Sequence, residues 1–239
     1  MKKDVSTVKT IVFDTFGTVV DWRGSIVADL SAWGAKNDIQ ADWASFVDAW
    51  RGRYEPQKDR VRRGEIPWTN IDELHFEALT SLLPEYGLAS LSDAQRQHVN
   101  HVWHRLNAWP DAVAGLQRLK SRYVIGPLSN GNIALLVNMA KHAGLGWDSI
   151  FSCEHFQRYK PHPDTYLGVC RQMYLQPHEV MMCAAHNYDL KAARSVGLLT
   201  AFIPRPTEYG PGQITDLEPA EDWDIVATDL QDLAQQLNT

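Results

Sequence analysis

An apolar, β-branched run (Val8, Ile11, Val12, Phe13) stops abruptly at Asp14, and Gly17 follows where the backbone has to turn. The pattern predicts a buried strand that delivers a carboxylate at its tip. Beyond Asp21 the spacing of apolar positions changes to a helical period. It predicts helices over Gly24 to Asn37, Asp42 to about Arg60, Thr69 to Leu83 and, with a capping box at Ser92 and Gln95, Ser92 to about Leu106. No strand pattern lies between residues 22 and 106. From Pro110 onward strands and helices alternate, with strands expected at Tyr123 to Leu128, Ser149 to Ser152, Val180 to Cys183 and Leu199 to Ile203. The intervening helices are expected over Asp111 to Arg122, Asn132 to Ala143, Pro163 to Tyr174 and Asp189 to Val196, with a last one over Asp229 to Leu237. Strands separated by helices of this length give an α/β fold with a doubly wound parallel sheet.

In such a sheet a ligand site lies beyond the carboxyl ends of the strands, so the residues just past each strand decide what the fold can do. Asp14 comes directly after the first, and an aspartate that only caps a turn is the plain alternative. Later strands run into Ser129-Asn130-Gly131-Asn132, through a short loop into Tyr159-Lys160-Pro161, and into Ala184-Ala185-His186-Asn187-Tyr188-Asp189. Together they offer a carboxylate, a hydroxyl with an amide, an ammonium and a second carboxylate. The loop Pro204 to Gly212, rich in proline and glycine, comes after another strand and is expected to border the same region.

Asp14, Ser129, Lys160 and Asp189 stand in an order that resembles the haloacid dehalogenase superfamily, over nearly the whole chain. The resemblance implies a HAD-like Rossmannoid core, residues 1–21 and 107–239, with an inserted α-helical cap domain, residues 22–106. Phosphatases of that superfamily place a second aspartate two residues after the nucleophile, where its backbone carbonyl helps hold Mg²⁺. Phe16 occupies that position here, and its side chain can neither ligate a hard cation nor carry a proton. The L-2-haloacid dehalogenases, which need no metal or other cofactor and carry an aromatic residue there, are the branch this chain is similar to. A phosphohydrolase with remodelled acid/base chemistry and a non-catalytic binding protein of the same fold are the alternatives.

The resemblance implies that Asp14 displaces halide from a short 2-haloalkanoic acid to give an ester, which water then hydrolyses. Lys160 would keep Asp14 ionised, Thr18 position it, Ser129 receive the substrate carboxylate and Asp189 orient or deprotonate the water, unless Asp189 is merely a helix N-cap. Asn130 is the matching halide neighbour, Tyr166 the matching tyrosine, and Arg51 the cap arginine for the leaving halide, with Arg53 as its competitor. The chain departs from the family pattern at Phe16, where tyrosine is common, and at Ala185-His186-Asn187, where many members have Ser-Ser-Asn. His186 or Asn187 is therefore expected to take over part of the hydrogen bonding at the water site or halide pocket, with a changed halide preference, fluoride included. A homodimer is common in the family.

Composition narrows the partners. The 239 residues carry a formal net charge of -6, and basic residues cluster only at Arg60, Arg62 and Arg63, so nucleic acid is not expected. Lys2 and Lys3 precede no apolar signal core and no stretch is long enough to span a membrane, which points to a cytoplasmic protein. Cys153, Cys170 and Cys183 show no pairing or zinc spacing and are expected as buried thiols. Nine tryptophans, most of them between residues 22 and 106, make that segment unusually aromatic. His98, His101 and His104 recur every third residue and are expected to form a partly exposed helix face.

Overall fold

The computed structural model describes residues 4–239; Met1, Lys2 and Lys3, on which part of the leader reading falls, lie outside the described residues. β1 (Thr10–Phe13) and the short β2 (Val20–Asp21) come first. They are followed by α1 (Trp22–Lys36), α2 (Trp43–Gly52), α3 (Tyr54–Arg62), α4 (Ile71–Leu82) and α5 (Asp93–Asn100). β3 (Asn107–Ala108) returns to pair antiparallel with β2, so one small ribbon brackets the helical segment at both ends.

The remaining elements are α6 (Ala112–Lys120), β4 (Val124–Ser129), α7 (Ile133–Ala143), β5 (Phe151–Ser152), α8 (Cys153–Phe156) and α9 (Pro163–Met173). β6 (Val180–Ala184), α10 (Asn187–Ser195), β7 (Leu199–Phe202), β8 (Ile225–Val226) and α11 (Leu230–Gln236) complete the chain. The main sheet is parallel, in the order β5-β4-β1-β6-β7-β8, with β1 central. Ile11, Val12 and Phe13 are fully buried, as a strand covered on both faces requires.

Several elements differ from the expected ones. The helix expected over Asp42 to Arg60 is two, because a proline ring clashes with the carbonyl four residues back and Pro56 stands four after Gly52. The chain bends at Arg53 and restarts with Pro56 in the first turn of α3, where no hydrogen bond is lost. α5 ends at Asn100 and tightens into a 3-10 turn over His101–Arg105. β8, only two residues long, is too short to leave a periodic signal.

His104 does not sit on an exposed face. It is buried, its Nε2 lies 3.0 Å from both carboxylate oxygens of Asp72, and its Nδ1 meets the Asn138 amide on α7 at 3.0 Å. Asn132 also donates to Asp72, at 2.8 Å, so Asp72 on α4 ties the helical segment to the end of β4. The three cysteines are buried and unpaired. Among the described residues no helix is long and apolar enough to cross a membrane.

Candidate active site

The parallel register carries the chemistry to one edge of the sheet. Phe13 is aligned with Pro127 on β4 and with Cys183 on β6, so Asp14, Ser129 and the residues after Ala184 emerge side by side. The Asp14 amide donates to the Cys183 carbonyl at 3.0 Å, which fixes the first residue beyond the strand. Gly17 then turns the chain with φ +88°, and the hydroxyl of Thr18 comes back to donate to Asp14 Oδ2 at 2.9 Å. Thr18 Oγ1 in turn accepts from the Ala185 amide, at 2.9 Å.

The buried Asp14 carboxylate is held from two sides. Lys160 Nζ donates to Oδ1 at 2.8 Å, while Oδ2 receives Thr18 and, at 3.0 Å, His186 Nδ1. Burial raises its pKa, but Lys160 and His186 outweigh burial and hold it well below the usual carboxylate range. The same Lys160 donates to Asp189 Oδ2 at 2.5 Å, and Tyr166 donates to Asp189 Oδ1 at 2.5 Å. Burial, reinforced by the nearby Asp14 charge, raises the pKa of Asp189 despite Lys160. Two carboxylates on one ammonium are thus pushed apart, one toward a permanent anion and one toward a proton acceptor. Asp189 lies within the first turn of α10, whose N-cap is His186, so it is not the cap.

Ser129 is buried at the end of β4 and accepts the Gly131 amide at 3.2 Å. Asn130 Oδ1 accepts the Lys160 backbone amide at 2.9 Å and faces Cys153 Sγ at 3.4 Å, locking the Lys160 loop to β4. Phe16 is buried, its ring edge-on to Trp103 at 5.9 Å between centroids. The structure does not bring Asn187 to Asp14 or Asp189: its side chain bonds Asp216, Glu218, Ala220 and Trp223 and fastens the loop after β7.

Over this edge lies the helical segment, and a cavity of about 620 Å³ opens between the two, bordered by Trp22, Arg51 and Tyr54 on one side and Pro161, His186 and Tyr188 on the other. Arg51 lies over the rings of Trp22 at 5.0 Å and Tyr54 at 4.2 Å, and its Nη1 is buried with no hydrogen-bond partner. Arg53 points elsewhere, to Ser81 and Glu85 at 2.8 and 2.6 Å. Buried near Arg51 are two further groups without partners, both ring nitrogens of His75 and Trp103 Nε1, with the two rings stacked at 4.2 Å.

Sequence reasoning missed Glu208. It is buried, lies on the loop after β7, and places Oε2 2.9 Å and Oε1 3.1 Å from His186 Nε2. Trp22 Nε1 donates to Oε1 at 3.0 Å. The one signal for it was the expectation that Pro204 to Gly212 borders the site. Among the described residues no cluster of three or more histidine, cysteine or acidic side chains is arranged to hold a metal ion, and the ammonium of Lys160 stands between the two central carboxylates.

Residues 8–197 match the family model described as haloacid dehalogenase-like hydrolase. The chain is 30% identical to (S)-2-haloacid dehalogenase 4A of Burkholderia cepacia over 211 residues, 86% of this chain and 88% of that one. Among solved structures it is similar to an L-2-haloacid dehalogenase at 50% identity and TM-score 0.95, covering 97% of this chain and 99% of that one. It is also similar to a defluorinating L-2-haloacid dehalogenase, at 45% identity and TM-score 0.94, covering 97% and 96%.

Proposed function

The chain belongs to the haloacid dehalogenase-like hydrolases, and from that premise we propose that it hydrolyses short L-2-haloalkanoic acids to D-2-hydroxyacids and halide through an ester on Asp14. The observation that carries this reading is a buried, ionised Asp14 with Lys160 on one oxygen at 2.8 Å. Carboxylate is a weak nucleophile, and burial with a fixed counter-ion strips the water that would blunt it further while keeping it charged. Attack at C2 from the side opposite the halogen forms the C–O bond as the C–halogen electron pair leaves with the halide, and this inverts the centre. Water then attacks the ester carbonyl.

In this reading residues 22–106 act as the cap that closes the site, and residues 1–21 and 107–239 as the core. Arg51 Nη1, a buried donor with no protein partner, receives the departing halide with Asn130. Ser129 at the end of β4 suits the substrate carboxylate. Asp189, whose pKa is raised by burial, takes a proton from the water. Phe16 forms an apolar wall. A homodimer in the cytoplasm is part of the same proposal, and light scattering on the purified protein tests the oligomer.

The test is halide release from L- and D-2-chloropropionate, chloroacetate and fluoroacetate, with EDTA present, in wild type and Asp14→Asn. Fluoroacetate is included because one similar structure is that of a defluorinating enzyme. Release from the L substrate that persists in EDTA and vanishes in the variant is expected. Mg²⁺-dependent cleavage of a phosphate ester with no halide release would overturn the assignment.

A further inference from the structure

A covalent route asks two different things of the Asp14 carboxylate. One oxygen attacks in the first step; the other becomes the carbonyl oxygen of the ester and carries negative charge while water attacks. We propose that His186, held as an imidazolium between Asp14 and Glu208, acts with Thr18 as the donor pair that stabilises this oxygen during ester hydrolysis. The inference rests on the dehalogenase reading and deepens it.

The two oxygens of Asp14 are not equivalent. Oδ2 already receives two donors, Thr18 Oγ1 at 2.9 Å and His186 Nδ1 at 3.0 Å, whereas Oδ1 meets Lys160 Nζ at 2.8 Å. Oδ1 therefore attacks, and Oδ2 is left as the carbonyl oxygen with both donors in place. The imidazole of His186 faces a carboxylate on each side, Asp14 at Nδ1 and Glu208 at Nε2. Only the cation has an N–H for both; a neutral ring would turn a lone pair toward an anion. Burial disfavours that cation, but Glu208 and Asp14 outweigh it and hold its pKa well above the usual histidine value. Glu208 stays buried under the Trp22 indole and against Gly17, where even a Cβ would lie 2.1 Å from its oxygen. A ring with both nitrogens protonated cannot take a proton from water, so His186 serves as an electrophile rather than a base.

In the hydrolytic step water oxygen bonds to Asp14 Cγ, its proton passes to Asp189, and the carbonyl π pair moves onto Oδ2 between Thr18 and His186. When that pair returns, the Cγ–Oδ1 bond breaks and Oδ1 leaves as the product alkoxide. Lys160, 2.8 Å from Oδ1 and 2.5 Å from Asp189 Oδ2, protonates the alkoxide and recovers the proton from Asp189. The new Asp14 carboxyl, which now carries the water oxygen, releases its proton to solvent.

Rapid-quench halide release from L-2-chloropropionate, with intact-mass detection of the ester, in wild type, His186→Gln and Glu208→Gln tests this. Wild type must release halide and Asp14→Asn must not; failure there overturns the dehalogenase reading itself. Given an active wild type, both variants are expected to release about one halide per site at near wild-type rate, then accumulate ester. In His186→Gln kcat is lowered about 10²–10³-fold for the loss of one such donor, and in Glu208→Gln, which keeps the donor and loses its charge, by a smaller factor that grows with pH. The groups facing His186 are Asp14, Glu208 and Tyr188, with Arg51 across the cavity and, through Glu208, Trp22 and Tyr209. Removing the Glu208 charge lowers the histidine pKa, so turnover of Glu208→Gln is expected to fall as pH rises through neutrality while wild type holds. Burst and turnover reduced in parallel, unchanged turnover, or a Glu208→Gln rate that climbs with pH as for a general base, would each overturn the assignment to His186. Glu208→Gln keeps the buried shape and leaves His186 intact, so it decides the matter should His186→Gln fail to fold.

Discussion

Gly17 and Lys58 show how much single positions carry. Gly17 holds φ +88° and leaves room for the Glu208 carboxylate, so an added methyl group meets both a disfavoured backbone and a charged neighbour. Gly17→Ala is expected to cost about 2 kcal/mol or more in urea unfolding, and to slow turnover by displacing Glu208 from His186. Lys58 on α3 is fully buried, with its ammonium 3.9 Å from the Tyr54 ring centre and 2.5 Å from Glu55. Burial outweighs Glu55 and lowers its pKa to about 7. From pH 7 toward the unfolded value of about 10.4 the unfolded chain binds the proton and the folded one does not, so this group makes stability rise with pH. Lys58→Met removes the buried ionisable group while Glu55 stays in solvent; it is expected to stabilise the protein by about 1–4 kcal/mol below pH 7, read from urea midpoints across pH, and to flatten that rise.

At the scale of elements, the helical segment is fastened to the sheet through few polar groups. Asp72 on α4 accepts from His104 and from Asn132 beyond β4, and burial, which raises its pKa, is outweighed by His104 and Asn132. Asp72→Ala leaves both partners without an acceptor in a half-buried place, at about 1–3 kcal/mol. Hydrogen exchange should show faster opening of α4 and the 101–105 turn, while β1 and β6 stay protected. The loop after β7 is the second fastening. Arg205 forms a bidentate pair with Asp111 at 2.7 and 2.8 Å and donates to the Thr18 carbonyl at 2.9 Å, which sets the loop that carries Glu208 against the turn after Asp14. Its composition announced a loop at a strand end. Nothing local announced Glu208, because a buried acid in an irregular segment has neither period nor spacing to mark it.

For the molecule as a whole, the lowered pKa values of Asp14, Asp72 and Asp111 set the acid limit. Each contributes stability that is fully present above the unfolded aspartate value of about 3.9 and is lost as pH falls through the lower folded value. Urea midpoints are expected to hold from pH 7 to about 5 and to drop steeply below about 4; a flat profile to pH 2 would contradict these ion pairs. Local pattern was enough for the alternation of strands and helices, for the strand-free helical segment from 22 to 106, and for Asp14, Ser129, Lys160 and Asp189 lying at or beyond the carboxyl ends of strands, because each is encoded in periodicity or in the residues that follow an apolar run. Packing alone decided that His186 faces Asp14 while Asn187 turns to a loop, that Arg51 rather than Arg53 reaches the cavity, and that Glu208 lies against His186. Those choices depend on which side chains the packing of sheet, helical segment and loop brings within hydrogen-bonding distance, and residues far apart in the chain carry no local trace of that.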